Sequence, residues 1–130
     1  MKTARLVDER TWEIVDIDEP VPRPGQMLIR LEQVAVCGSD MPDYLGVHPG
    51  FPKPTGGTGH EGIGRIVSCP SGHYKEGERV LLWGFDRHHG LFQESVLSLD
   101  EGLLRLPGDA QPERVLMSQL LGTVLRPFRR

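Results

Sequence analysis

Two short stretches concentrate the residues able to do chemistry: Cys37-Gly-Ser-Asp40 and Gly59-His-Glu61-Gly62. Cys37 offers a soft thiolate and His60 an imidazole, the ligand pair that a zinc ion favours. Asp40 and Glu61 stand beside them as carboxylates. Such a group, bonded to the far nitrogen of a ligating His, fixes its tautomer and raises its basicity. Each stretch falls where a strand pattern gives way to a glycine-bearing turn, so its side chains can face a cleft from a rigid frame. On residue types alone a plainer reading stands beside this one. A single Cys and a single His are more often core or surface residues than ligands.

The elements that must position these groups read mainly as strands. With 130 residues, 16 Gly and 11 Pro, the chain suits one turn-rich β domain rather than a helix bundle. Residues 3–7 and 12–17 are short and β-leaning, and the Pro-rich 20–25 then breaks regular structure. Residues 26–36 give the strongest strand, with Met27, Ile29 and Leu31 on one parity and Val34 and Val36 on the other, which places a bulge near Gln33. Residues 41–59 hold five Gly and four Pro with little periodicity, the mark of a long functional loop. Further strands are expected at 62–68, 78–83, 91–99 and 103–106. The period then changes: Val115, Leu116, Leu120, Val124 and Phe128 recur at helical spacing. Pro112 suits the first turn, Asp109 is the expected cap, and Pro127 disrupts the helix close to Arg130.

Composition excludes several classes. A net charge of −3 argues against nucleic-acid binding, which needs a basic face. No run of about 18 apolar residues is present to span a membrane, and the N-terminus becomes charged before a signal-peptide core can form. Two Cys are too few for a disulfide framework, so the expected compartment is the cytoplasm. Gly57-Thr-Gly59-His-Glu-Gly62 matches the dinucleotide fingerprint by letter. That motif works only between a strand and a helix, and here a Pro-rich loop precedes it and a strand pattern follows. His60-Glu61 also lacks the second His of the protease helix motif. Cys69, in Ser68-Cys-Pro-Ser, reads as a partly buried structural thiol.

Taken in order, the motifs resemble the N-terminal, GroES-like catalytic domain of the zinc-dependent medium-chain alcohol dehydrogenases. The likeness is collinear: Pro24-Gly-Gln-Met-Leu-Ile-Arg-Leu31, Val36-Cys-Gly-Ser-Asp40, Gly59-His-Glu-Gly-Ile-Gly-Arg-Ile-Val67, Glu76-Gly-Glu-Arg-Val80, Gly90-Leu-Phe-Gln-Glu94 and Leu104-Arg-Leu-Pro107. The resemblance implies an all-β GroES-like barrel over residues 1–110. It also implies a linker helix over 111–130 that leads, in relatives, into a Rossmann domain. Cys37 and His60 match the first two catalytic zinc ligands, Ser39 the hydroxyl that starts the proton relay, Asp40 the carboxylate behind the ligating His, and Glu61 the acid able to approach the metal. The implied chemistry is alcohol–carbonyl interconversion, with zinc as Lewis acid and hydride passing to NAD(P).

Three departures qualify the likeness. The third zinc ligand falls on Gln119, whose neutral amide brings no charge to the ion, so zinc would be weak, would recruit Glu61 or would be absent. The structural-zinc lobe of many relatives is replaced by Gly84-Phe-Asp-Arg-His-His-Gly90, which has no Cys. His88 and His89 there read as solvated. Pro42 stands where some relatives finish the proton relay with a His, leaving water or His48 as substitutes. Asp43, Tyr44, Trp83 and Phe85 are candidate pocket residues.

The expected ligand is a small alcohol or carbonyl compound, and the expected partners are a second copy or a complementing Rossmann domain. Without a dinucleotide site the isolated chain is expected not to transfer hydride. The alternatives are a stand-alone metal- or ligand-binding protein, or non-catalytic partner, of the same fold, and a co-chaperonin sharing the barrel. The second lacks support in the Cys37 and His60 motifs.

Overall fold

The computed structural model describes residues 1–82, 90–99 and 103–126. Trp83, Phe85, His88, His89, Pro127 and Phe128 lie outside the described residues. Among these residues seven strands dominate: β1 (Lys2–Asp8), β2 (Thr11–Asp16), β3 (Gln26–Ala35), β4 (Glu61–Ser68), β5 (Arg79–Leu82), β6 (Ser95–Leu99) and β7 (Leu103–Arg105). Helical pieces are short: a 3-10 turn (Gly38–Asp40), α1 (Met41–Tyr44), α2 (Pro112–Leu116) and α3 (Ser118–Leu125). The all-β architecture expected from the sequence is the one observed.

β1 and β2 form an antiparallel ribbon, and the other strands an antiparallel sheet in the order β6-β3-β4-β5-β7. A Thr3–Gln93 bridge joins the two, reinforced by Ala4 N–H to Phe92 O at 2.8 Å and Glu94 N–H to Lys2 O at 3.0 Å. Leu31 N–H donates to Glu94 O at 2.8 Å, so residues 92–94 carry the chain from ribbon to sheet. The register of β3 against β4 shifts between Leu31 and Gln33, where the change of parity put a bulge, and again between Leu28 and Ile29. The second shift places its extra residue, Val67, on β4, while β3 keeps regular pairing with β6; Met27, Leu28 and Ile29 are all buried, so both faces of β3 are covered there.

Two cores lie on opposite faces. Met27, Ile29, Ile66, Val80, Leu82, Leu91, Val96 and Leu103 fill the interior. Val80 and Leu82 point inward, so Leu81 must point out. It is covered, with Ile63, by Leu116 of α2. Gly64 permits close approach of β3: a Cβ there would lie 2.5 Å from Arg30 O.

Four boundaries depart from expectation. Strand β6 begins at Ser95 rather than at residue 91, because Leu91 and Phe92 spend their N–H groups on Gly59 O and Gly56 O, each at 3.0 Å. The final helix is broken at Met117 (ψ −11), where Ser118 Oγ donates to Val115 O at 2.6 Å and competes with the helical ladder. Its N-cap is Gln111. Asp109 sits instead in the turn closed by Ala110 N–H to Pro107 O, 3.0 Å long. Within the long loop, α1 adds one turn, with Pro42 near its start and Gly46 (φ 70°) just past its end.

Candidate metal centre

The two chemical stretches arrive from distant parts of the chain and meet. Cys37 follows β3 and opens the 3-10 turn; its backbone N–H donates to Asp40 Oδ2 at 2.8 Å. This bond folds Asp40 back under the turn, where it is buried. His60 and Glu61 enter β4 from the loop that Leu91 and Phe92 hold in place. Gly56, at φ +78°, passes so close to Gly90 that a Cβ would run into the Gly90 backbone. Only glycine lets the loop lie that near.

His60 is 3% exposed and its ring is held on both sides. Nδ1 lies 3.0 Å from Thr58 O, a carbonyl, so Nδ1 carries the proton and donates. Nε2 then presents its lone pair on the other side, where Ser39 Oγ stands at 3.3 Å and can donate to it. Asp40 Oδ1 lies 3.5 Å from Nδ1. It is the more distant acceptor because Thr58 Oγ1 donates to the same oxygen at 2.6 Å.

Cys37, His60 and Glu61 bring one ligand atom each to within 4.8 Å of one another. Glu61 is 1% exposed, and its Oε1, 3.8 Å from His60 Nε2, has no hydrogen-bond partner among the described residues. A buried carboxylate oxygen without a donor is costly in a protein interior unless a cation completes it. Thiolate, imidazole and carboxylate are the donors that zinc accepts. The residues fit the metal.

The other expected residues lie on α3 and in the loop between β3 and β4. Gln119 is in the first turn of α3, with Oε1 shielded from water and without a hydrogen-bond partner among the described residues. His48 faces Asp43, Nδ1 to Oδ1 3.3 Å, and Lys53 Nζ meets the same carboxylate at 2.9 Å. Asp43 is thus engaged in stapling the loop. Tyr44 does line a cleft of about 340 Å³, together with Ala4, Trp12, Val36, Met41, Phe92 and Asp40. Trp12 and Phe92 meet edge to face, their centroids 5.7 Å apart. The cleft reaches Asp40, on the Nδ1 side of His60, whereas Glu61 Oε1 lies on the Nε2 side.

Sequence reading missed Thr58 and this aromatic pair. Thr58 carries no signal beyond a hydroxyl two residues before a candidate ligand. Trp12 and Phe92 belong to separate strand patterns whose pairing is visible only in three dimensions.

The model of the alcohol dehydrogenase GroES-like domain matches residues 23–108, including the whole Cys37–Glu61 corner. The chain belongs to this family. Over 122 residues it is 34% identical to (R,R)-butanediol dehydrogenase of Bacillus subtilis (strain 168), a match spanning 83% of this chain and 35% of that protein. The crystal structure of 2R,3R-butanediol dehydrogenase from Bacillus subtilis superposes with a TM-score of 0.70 at 27% identity, over 89% of this chain and 43% of that one. Haloferax mediterranei glucose dehydrogenase, solved in complex with NADP, Zn and gluconolactone, gives 0.79 at 22% identity, over 98% of this chain and 45% of that one. The second likeness speaks for the fold. This GroES-like chain therefore spans well under half the length of the relatives it matches. Among its described residues, no helix is long and apolar enough to cross a membrane.

Proposed function

We propose that the chain is the substrate- and zinc-binding part of an alcohol dehydrogenase-like oxidoreductase that interconverts a small alcohol and its carbonyl compound. The observation that carries this reading is the convergence of Cys37, His60 and Glu61 within 4.8 Å, with a buried Glu61 oxygen lacking a donor. Cys37, His60 and Glu61 would hold the metal. Gln119 is a further candidate on the strength of its shielded, unpartnered amide oxygen. Zinc bound there supplies a Lewis acid for a carbinol or carbonyl oxygen.

The chain's own residues do the rest. Thr58 O holds the Nδ1 proton of His60, which keeps Nε2 available as a donor. Ser39 is exposed, with its hydroxyl on the Nε2 side, placed to pass a proton between a bound substrate and water. Asp40 holds the Cys37 turn from beneath. The nicotinamide has no seat in this proposal within residues 1–130: Gly57–Gly62 runs directly into β4 and opens no helix. We assign residues 1–110 to substrate and zinc, and 111–130 to a linker toward a Rossmann domain that would bring NAD(P).

Metal content of the purified chain tests the reading. One equivalent of zinc is expected in the wild type, and none in Cys37→Ala. Equal zinc in both would remove Cys37 from the site, and none in either would remove the site.

A further inference from the structure

Thr58 belongs to no motif, yet it touches both halves of the candidate centre. Its carbonyl accepts the His60 Nδ1 proton at 3.0 Å, and its hydroxyl donates to Asp40 Oδ1 at 2.6 Å. The other oxygen of Asp40 accepts the Cys37 backbone N–H at 2.8 Å. A continuous chain of contacts thus runs from His60 through Thr58 and Asp40 to Cys37, beside the longer Ser39–His60 and Asp40–His60 approaches at 3.3 and 3.5 Å, although Asp40 and Thr58 are 18 residues apart. Cys37 and His60 lie in different strand connections, and β3–β4 pairing ends at Ala35 and Glu61, short of the Cys37 turn. Beyond that point the ladder cannot set the spacing of the two ligands.

We propose that Thr58 is a positioning residue that ties the Cys37 turn to His60 and so sets the separation of the two ligand atoms. The tie also divides the acceptors behind His60. With Asp40 Oδ1 bound to the Thr58 hydroxyl and Oδ2 to the Cys37 amide, the neutral carbonyl of Thr58 is the nearer partner of Nδ1. Groups that orient ligands in this way typically change metal affinity by about 10- to 100-fold when removed. The proposal rests on the zinc reading, but its geometric half concerns the metal-free protein and can be tested there.

Two substitutions separate the hydroxyl from the carbonyl. Thr58→Val keeps the shape and the carbonyl and loses the hydroxyl; Thr58→Ser keeps both. Zinc affinity, measured by competition with a chromophoric chelator, should fall about tenfold or more in Thr58→Val and stay within about threefold of wild type in Thr58→Ser. In metal-free protein, amide hydrogen exchange at Cys37 should speed up about tenfold in Thr58→Val, while Ile63 and Leu81 keep wild-type protection. A purely structural role would lower protection at all three positions together. Unchanged Cys37 exchange in Thr58→Val overturns the proposal. If the wild type takes up no zinc, the zinc reading fails and the exchange measurement still decides Thr58. Should Thr58→Val not fold, Thr58→Ala removes the same hydroxyl with less bulk and keeps the carbonyl. It must raise Cys37 exchange for the proposal to stand.

Discussion

The corner that carries Cys37 and His60 and the pair of helices at 112–125 lie under opposite rules of burial. In the corner, polar groups are inside: Asp40, His60 and Glu61 are 5%, 3% and 1% exposed. In α3, apolar groups are outside, with Leu121 at 56% and Val124 at 61%. The difference lies in what each segment finds to face it. In the corner, Asp40 and His60 each have hydrogen-bond partners close by. Asp40 meets Thr58 and the Cys37 amide, and His60 meets Thr58 and Ser39. The apolar side chains of the helices find a facing surface where β4 and β5 turn Ile63 and Leu81 outward, and Leu116 of α2 takes it. Among the described residues, no side chain of α3 is buried.

The helical side of this contrast gives the largest expected effect. Leu116→Ala removes the one buried side chain of α2 and should lower the unfolding free energy by about 2 kcal/mol, read from urea denaturation. Leu121→Ala, on the exposed face, should stay within about 0.5 kcal/mol of wild type. Equal losses would mean that α3 is covered as well as α2, and the contrast would collapse.

The corner gives the next. Glu61→Gln removes a buried charge whose Oε1 has no donor, and puts an amide N–H₂ where it can reach the His60 Nε2 lone pair, now 3.8 Å away. The metal-free variant should therefore be more stable than wild type by about 1 kcal/mol. Adding zinc should reverse the order, because wild type has the better ligand. A metal-free variant that loses stability would show that the carboxylate is satisfied without a cation.

Much of this contrast was legible in the sequence, and the illegible part has a physical cause. Alternation along residues 26–36 located β3, and the change of parity located its bulge, because both follow from the pleat. The Cys37 and His60 motifs identified the corner because few residue types bind metal. The helix break at Met117 was not readable, since it depends on a serine hydroxyl bonding back to Val115 O rather than outward. Nor was Thr58, whose part in the corner depends on where a loop with no period of its own comes to rest. Leu28 misled for a different reason: alternation puts it on the face opposite Met27 and Ile29, and that face is buried there too.

Exposed polar contacts complete the comparison and give the smallest effect. Glu19 Oε1 accepts from Ser95 Oγ at 2.7 Å and from Arg30 at 2.9 Å, outside the corner and in reach of water. The Ser95 hydroxyl, and then the Arg30 charge, hold its carboxyl below the usual carboxylate value. A pKa lowered by folding means that the folded state binds fewer protons than the unfolded one. The contribution is therefore complete above the unfolded value and fades as pH falls through it toward the lowered one. Glu19→Gln should thus be less stable than wild type near pH 6, with the gap closing as pH falls through the usual carboxylate range and below it. Unfolding midpoints in urea at several pH values would show the two curves converge. Moderate salt should narrow the gap at pH 6 as well, because the Arg30 part is screened in solvent and the hydroxyl bond to buried Ser95 is not. A gap that neither closes in acid nor narrows in salt would mean that Glu19 acts by packing alone, and that exposure does not separate its contacts from those of the corner.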